Sequence, residues 1–386
     1  MLLVYCPEPV EGTDQIDELL DDFNHPRRRR RLILAALRAV KTCPLKIETI
    51  PAIDDDGILA TVYGKVHSSG LLDFLQTAWQ KWEALGEGGR DPSGSIPVEW
   101  SAIPPLVPSN APLPRLDRTA QRPSGHVVGQ MGYYCTETCT PIYEQLRREL
   151  HRDAAVLQCC LDEFLTSPSC VTRYLLLTHP GHHSAHDSFG GYCYVNHAAA
   201  LASHCSSAVI LDLDYHAGNG TISICASFPS ITTASIHCDP NFEYPFHSGF
   251  LDENTNSLRN VPLPPGTTWE GGYKTALLET IAWMKEQCQS PDLILISLGL
   301  DTLSGDPCAI RRAGLSLEAP ADYEEMGRLL ATHLWTNDVP VTFVQEGGYR
   351  MDAVGAAAAG VVTSFVRTRH ANQQPVAEIP TEYTLP

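Results

Sequence analysis

The sequence predicts a single α/β domain built on a central, mainly parallel β-sheet flanked by helices on both faces. Three observations lead there. Short apolar runs recur at 173–178, 208–214, 231–237, 292–298 and 339–345. Their apolar character is nearly continuous, as in strands covered on both sides of a parallel sheet. Between most of them lie longer stretches with helical spacing, such as 269–288 and 320–335, which are the crossovers parallel strands require. The length of 386 residues, 43% of them hydrophobic, suits one large domain, and no internal repeat divides it.

Taken in order, the other segments add boundaries and exclusions. The opening MLLVYC is apolar but lacks a basic leader and a small-residue cleavage pattern, so no secretory leader is expected. No run of about 18 apolar residues occurs, so no membrane partner is expected. The 13 cysteines are odd in number and form no CxxC pair, which predicts reduced thiols and a cytoplasmic location. Cys135 and Cys139 read as small buried residues rather than a redox pair. A formal net charge of −18 repels phosphates and attracts cations, so no nucleic-acid partner is expected. The run Arg27 to Arg31 stands against that balance and reads as the solvated first turns of a helix. The proline-rich stretch 86–125 reads as an ordered insertion in a domain spanning 1–370, with a polar tail at 371–386.

In open α/β sheets, ligands bind beyond the carboxyl ends of the strands. Past 173–178 come His182 and His183. The 208–214 run leads into Asp212, Asp214, His216 and Asn219. Asp301 follows 292–298, and Tyr349 follows 339–345. Alternate residues of a strand point one way, so Asp212, Asp214 and His216 can share a face. Asp214 and His216 with the distant Asp301 make a three-ligand N/O set that leaves room for water, as in catalytic zinc sites. Fe2+, Co2+ or Mn2+ would also suit such ligands. Asp306 reads as a turn cap. Hydrolysis of an amide needs a base for water and an acid for the leaving amine, tasks two imidazoles can divide. Asp212 and Asn219 are available to orient them, and a carboxylate raises an imidazole pKa more than an amide does. His179, His186 and His197 have no evident partner and read as surface or structural residues. The Tyr349 hydroxyl, after two glycines, could hold a developing oxyanion.

The stretches PGHH…GGYCYVNHAA, ILDLDYHAGNGT, LGLDTLSGDP and EGGY together resemble the zinc-dependent histone deacetylase superfamily, which has the arginase–deacetylase fold. GQMGYYC, HCDPNFEYPFHSGFLDE and VHSSGLLDFLQTAWQKW are similar to acetylpolyamine amidohydrolases within it. The resemblance implies Zn2+ on Asp214, His216 and Asp301, His182 paired with Asp212, and His183 paired with Asn219. It implies Tyr349 polarising the acetyl carbonyl, Gly191 offering its carbonyl to the substrate amide, and Tyr192 and Tyr244 walling an acyl tunnel. A structural K+ is implied near Asp212, Asp214, His216 and Ser235. Glu137 matches an acidic position at the tunnel mouth, where the second such position is Val128; Glu243 is a further acidic candidate. The implied reaction is metal-dependent removal of acetyl groups from small acetylated cationic amines by a homodimer, with protein lysine deacetylation as the alternative. Two departures stand out. The usual Arg-Pro-Pro before the histidine pair reads Thr178-His179-Pro180, and the histidine usual after His216 is Ala217.

Overall fold

Eight strands assemble in the computed structural model, which describes residues 1–8, 26–53, 55–86, 106, 122–166, 171–309, 314–336 and 338–373. They are β1 (Leu2–Pro7), β2 (Leu45–Ile50), β3 (Thr172–Leu175), β4 (Ala208–Asp212), β5 (Ile231–Cys238), β6 (Leu258–Leu263), β7 (Leu293–Leu298) and β8 (Val341–Gln345). All neighbours pair in parallel, in the order β2-β1-β3-β8-β7-β4-β5-β6. The five predicted runs are β3, β4, β5, β7 and β8. Sequence reading missed β1, β2 and β6. The edge strands β2 and β6 are only partly buried and carry polar residues, so they lack the continuous apolar signal of inner strands.

Helices cover both faces. They are α1 (Pro26–Ala39), α2 (Ile58–Tyr63), α3 (Ser69–Ala84), α4 (Val127–Tyr134), α5 (Leu146–Thr166), α6 (His197–Ala202), α7 (Asn219–Cys225), α8 (Lys274–Gln287), α9 (Ala321–His333) and α10 (Val354–Gln373). Strand alternation divides the core in two. Leu2, Val4, Val209, Leu211, Ile294 and Ile296 pack with α1, α8, α9 and α10. Leu3, Tyr5, Ala208, Ile210, Leu293 and Leu295 pack with α2 to α7. Most of the 86–125 insertion, and the tail beyond Gln373, lie outside the described residues. No described helix is long and apolar enough to cross a membrane. Every described cysteine is a free thiol, Cys135 buried and Cys139 exposed.

One expectation is corrected here. Arg27 to Arg31 do begin a helix, but not a solvated one. Arg29 is buried, Arg27 pairs with Glu149 of α5, and Arg30 Nη1 donates to Thr178 Oγ1 at 3.3 Å. Helical spacing explains it: Arg29 shares a stripe with Ile33 and Leu37, both fully buried.

Candidate active site

The strands that deliver the predicted polar residues, β3, β8, β7 and β4, are consecutive at the middle of the sheet. Their carboxyl ends open into one cavity of about 380 Å³. Its lining includes His182, His183, Asp214, His216, Asp301 and Tyr349, together with Gly191, Tyr192, Tyr244, Glu137 and Glu243. Asp212, Asn219 and Ser235 stand behind that lining.

At the base, Asp214, His216 and Asp301 each present a ligand atom within 4.8 Å of the others. His216 Nδ1 lies 3.2 Å from Asp214 Oδ1 and 3.3 Å from Asp301 Oδ2. The remaining oxygens hold the carboxylates in place. Asp301 Oδ1 accepts from Tyr215 N at 3.0 Å, and Asp214 Oδ2 accepts from Gly347 N at 2.9 Å. Asp301 Oδ2 is buried and has no hydrogen-bond partner. Burial and the charge of Asp214 push the Asp301 carboxyl up to about 7. Burial lowers the His216 pKa, but the two carboxylates overcome it and raise it to about 10. The cluster therefore draws positive charge to its centre. Gly347 makes the close approach possible, since a Cβ there would stand 2.3 Å from Asp301 Oδ2 and 2.7 Å from Asp214 Oδ2. His182, Cys193 and Glu346 form a second convergent group. It is already committed: Glu346 accepts from Gly181 N, His182 N and Ser297 Oγ, and His182 Nδ1 faces Asp212.

The adjacent imidazoles have different partners, as expected. His182 Nδ1 lies 3.0 Å from Asp212 Oδ2, and His183 Nδ1 lies 2.8 Å from Asn219 Oδ1. An amide oxygen can only accept, so His183 carries its proton on Nδ1 and leaves Nε2 as a base. Burial lowers the His183 pKa well below its ordinary value, and the charges of His182 and His216 add to that. Burial also disfavours a charged His182, but Asp214 and Asp212 outweigh it and raise its pKa well above the ordinary value.

Aromatic rings also line the cavity. Tyr244 stands edge-on to His183, with centroids 4.8 Å apart, and Tyr192 lies 6.3 Å from Tyr349. Gly191 and Tyr192 are both left-handed, at φ 57° and 63°. A side chain at Gly191 would stand 2.4 Å from His183 Cδ2, so the wall requires glycine there. Asp306 caps the tyrosine turn, accepting from Cys308 N, Tyr349 N and Arg350 N at 3.0, 2.8 and 2.9 Å. Glu137 lines the mouth, but its carboxylate folds back onto the backbone N–H groups of Cys139 and Thr140. Glu243 is fully buried and accepts from Tyr215 Oη at 2.9 Å. Val128 is not among the lining residues.

Three residues were missed by sequence reading. Arg29 places its guanidinium 5.4 Å from the centre of the Tyr349 ring. Glu346 ties the turn bearing the histidines to β8, and its place beside EGGY, directly after an apolar strand, was the available signal. His179 was read as partnerless. It is buried, with Nδ1 3.3 Å from Asp153 Oδ2 and Nε2 3.3 Å from Glu149 Oε2. Its partners lie on α5, some 26 and 30 positions earlier in the chain, beyond any local pattern. His197 is buried and structural, and His186 is exposed.

Fold and site thus define an α/β protein whose cavity floor carries a carboxylate–imidazole cluster beside a histidine dyad. The histone deacetylase domain profile matches residues 24–365, and the chain belongs to that family. It is therefore a hydrolase of the deacetylase class with the arginase–deacetylase fold. It is similar to acetylpolyamine amidohydrolase 1 of Pseudomonas aeruginosa, at 32% identity over 311 residues, 78% of this chain and 81% of that protein. It is also 32% identical to the acetylpolyamine amidohydrolase of Mycoplana ramosa over 357 residues, 89% of this chain and 92% of that one. The crystal structure of an acetylpolyamine aminohydrolase from Burkholderia pseudomallei is similar in fold, with a TM-score of 0.69 at 23% identity. That match covers 95% of this chain and 99% of that one.

Proposed function

We propose that this chain is a metal-dependent amidohydrolase that removes acetyl groups from small cationic amines, acetylpolyamines being the favoured class. The observation that carries the proposal is the convergence of Asp214, His216 and Asp301 at the floor of the cavity, beside His183 and Tyr349. The names of the relatives support the substrate class.

The residues fit a divalent ion. Asp301 Oδ2 is a buried carboxyl oxygen without a hydrogen bond, and Gly347 keeps a Cβ out of the cradle. Two carboxylates and one imidazole are the N/O donor set of catalytic zinc, with Fe2+, Co2+ and Mn2+ as further candidates. Such an ion supplies Lewis-acid polarisation of water and of the acyl oxygen. The protein's own groups supply the rest. His183 Nε2 takes a proton from water, because Asn219 fixes the tautomer. His182, held by Asp212, lends positive charge to the developing anion. Tyr349 Oη donates to the acyl oxygen, and the nearby Arg29 cation strengthens it as a donor. A proton returned by the imidazoles releases the amine, with acetate as co-product. Gly191 accepts from the substrate amide, and Tyr192 and Tyr244 exclude water around an aliphatic chain.

A structural K+ fits near Asp212, Asp214, His216 and Ser235. His237 Nε2 faces Gly249 O, so Ser235 Oγ donates to His237 Nδ1 and keeps its lone pairs for a cation. The acidic balance favours a cationic substrate, with Glu137 at the mouth and the buried Glu243 beside the tunnel as acidic groups whose oxygens are engaged. A homodimer and a cytoplasmic location belong to the same proposal.

The alternative is a protein lysine deacetylase, favoured by the family match itself. Steady-state kinetics on N-acetylputrescine and N8-acetylspermidine beside an acetyl-lysine peptide decides between them. The proposal expects kcat/KM at least about tenfold higher on the polyamines. A preference for the peptide rejects the substrate assignment, and no hydrolysis of either rejects the reaction.

A further inference from the structure

We propose that His179 is a positioning residue: a buried imidazolium clamped between Glu149 and Asp153 that sets the turn carrying His182 and His183. The clamp rests on the reading of those two histidines as the proton-handling pair. It occupies a position at which the chain departs from its family's pattern, histidine standing where proline is usual.

With Glu149 and Asp153 ionised, the geometry requires the charge. Tyr143 Oη donates to Glu149 Oε2, so its oxygen can only accept from His179 Nε2, 2.8 Å away. Nε2 therefore carries a proton. Nδ1 faces Asp153 Oδ2 at 3.3 Å and must donate as well. An imidazole donating from both nitrogens is a cation. Burial lowers the His179 pKa, but hydrogen bonds to Asp153 and Glu149 and their charges raise it to about 9. Other charged or titratable groups also face it. Arg27 of α1 donates to Glu149 Oε1, Arg30 reaches Thr178, the Tyr194 ring stands edge-on at 5.0 Å, and His197 Nε2 meets His179 O at 3.2 Å.

One of the two acids, Asp153, also holds the backbone. Thr178 N and His179 N donate to Asp153 at 2.8 and 3.3 Å. Glu149 and Asp153 lie one turn apart on α5, on a single buried face. Three residues on, Gly181 N and His182 N are gripped from the other side by Glu346. The turn is thus pinned between α5 and β8, with the imidazolium neutralising one clasp. Because the folded pKa exceeds the ordinary 6.5, this contribution is full below about pH 6.5 and fades as pH climbs through about 9.

The test uses the metal-loaded enzyme. Histidine-labelled ¹⁵N spectra from pH 6 to 10.5 should show both His179 nitrogens protonated at pH 7 and titrating near 9, with the His182 and His183 signals moving in step. The His179→Gln variant should keep its metal and a KM within about twofold, lose about tenfold in kcat, and lose the alkaline limb that follows His179. A neutral His179 at pH 7 overturns the clamp, as does a variant with unchanged kcat and pH profile. If that variant does not fold, Glu149→Gln decides. Its His179 midpoint should fall by about one unit, and the alkaline limb should move with it; an unmoved midpoint overturns the proposal. Should the wild type hydrolyse neither class of substrate, the spectra still decide the clamp.

Discussion

At the scale of single residues, chemistry in this protein is assigned by partners rather than by side-chain type. His182 and His183 are neighbours with centroids 3.9 Å apart, yet one meets a carboxylate and the other an amide. That difference separates their protonation states. Tyr349 is defined in the same way, buried over Arg29 with its backbone capped by Asp306. Its hydroxyl is proposed to act on charge that develops only during reaction. Tyr349→Phe should therefore lower kcat by about 10²–10³ while leaving KM and metal content near wild type, checked by kinetics and elemental analysis. Normal turnover would remove the tyrosine from the mechanism.

Among elements, five inner strands and their carboxyl-terminal residues were legible in the sequence, because burial on both faces leaves a continuous apolar mark; β1, equally buried, was missed because its apolar run opens the chain and was weighed only as a leader. The edge strands were not legible, since half-burial mixes polar residues into them. The candidate ligands were legible as a group because each stands just past a readable strand. The long-range supports were not: Arg29 hid inside a charge run, and the acids that clasp His179 sit on another helix. Glycines make the strand ends meet. Gly347, at the exit of β8, lets its own backbone approach both carboxylates. Gly347→Ala should force them apart and cut metal occupancy and kcat by at least about tenfold, with far-ultraviolet circular dichroism unchanged. Metal analysis beside the spectrum checks it, and full occupancy would show that the cradle tolerates a methyl group.

For the whole molecule, function depends on convergence. Asp214 and His216 follow β4 and Asp301 follows β7, while the imidazole pair and the tyrosine arrive from β3 and β8. None of these segments makes a site alone; the sheet order does. Among the described residues two groups of metal-capable atoms result, and of these two only the one at the cavity floor includes a carboxylate oxygen without a hydrogen bond. Anomalous diffraction from crystals of the metal-loaded protein, collected at the absorption edge of the added ion, is the most direct test. One strong peak enclosed by Asp214, His216 and Asp301 is the predicted result. No peak there, or a peak among His182, Cys193 and Glu346 instead, would contradict the account.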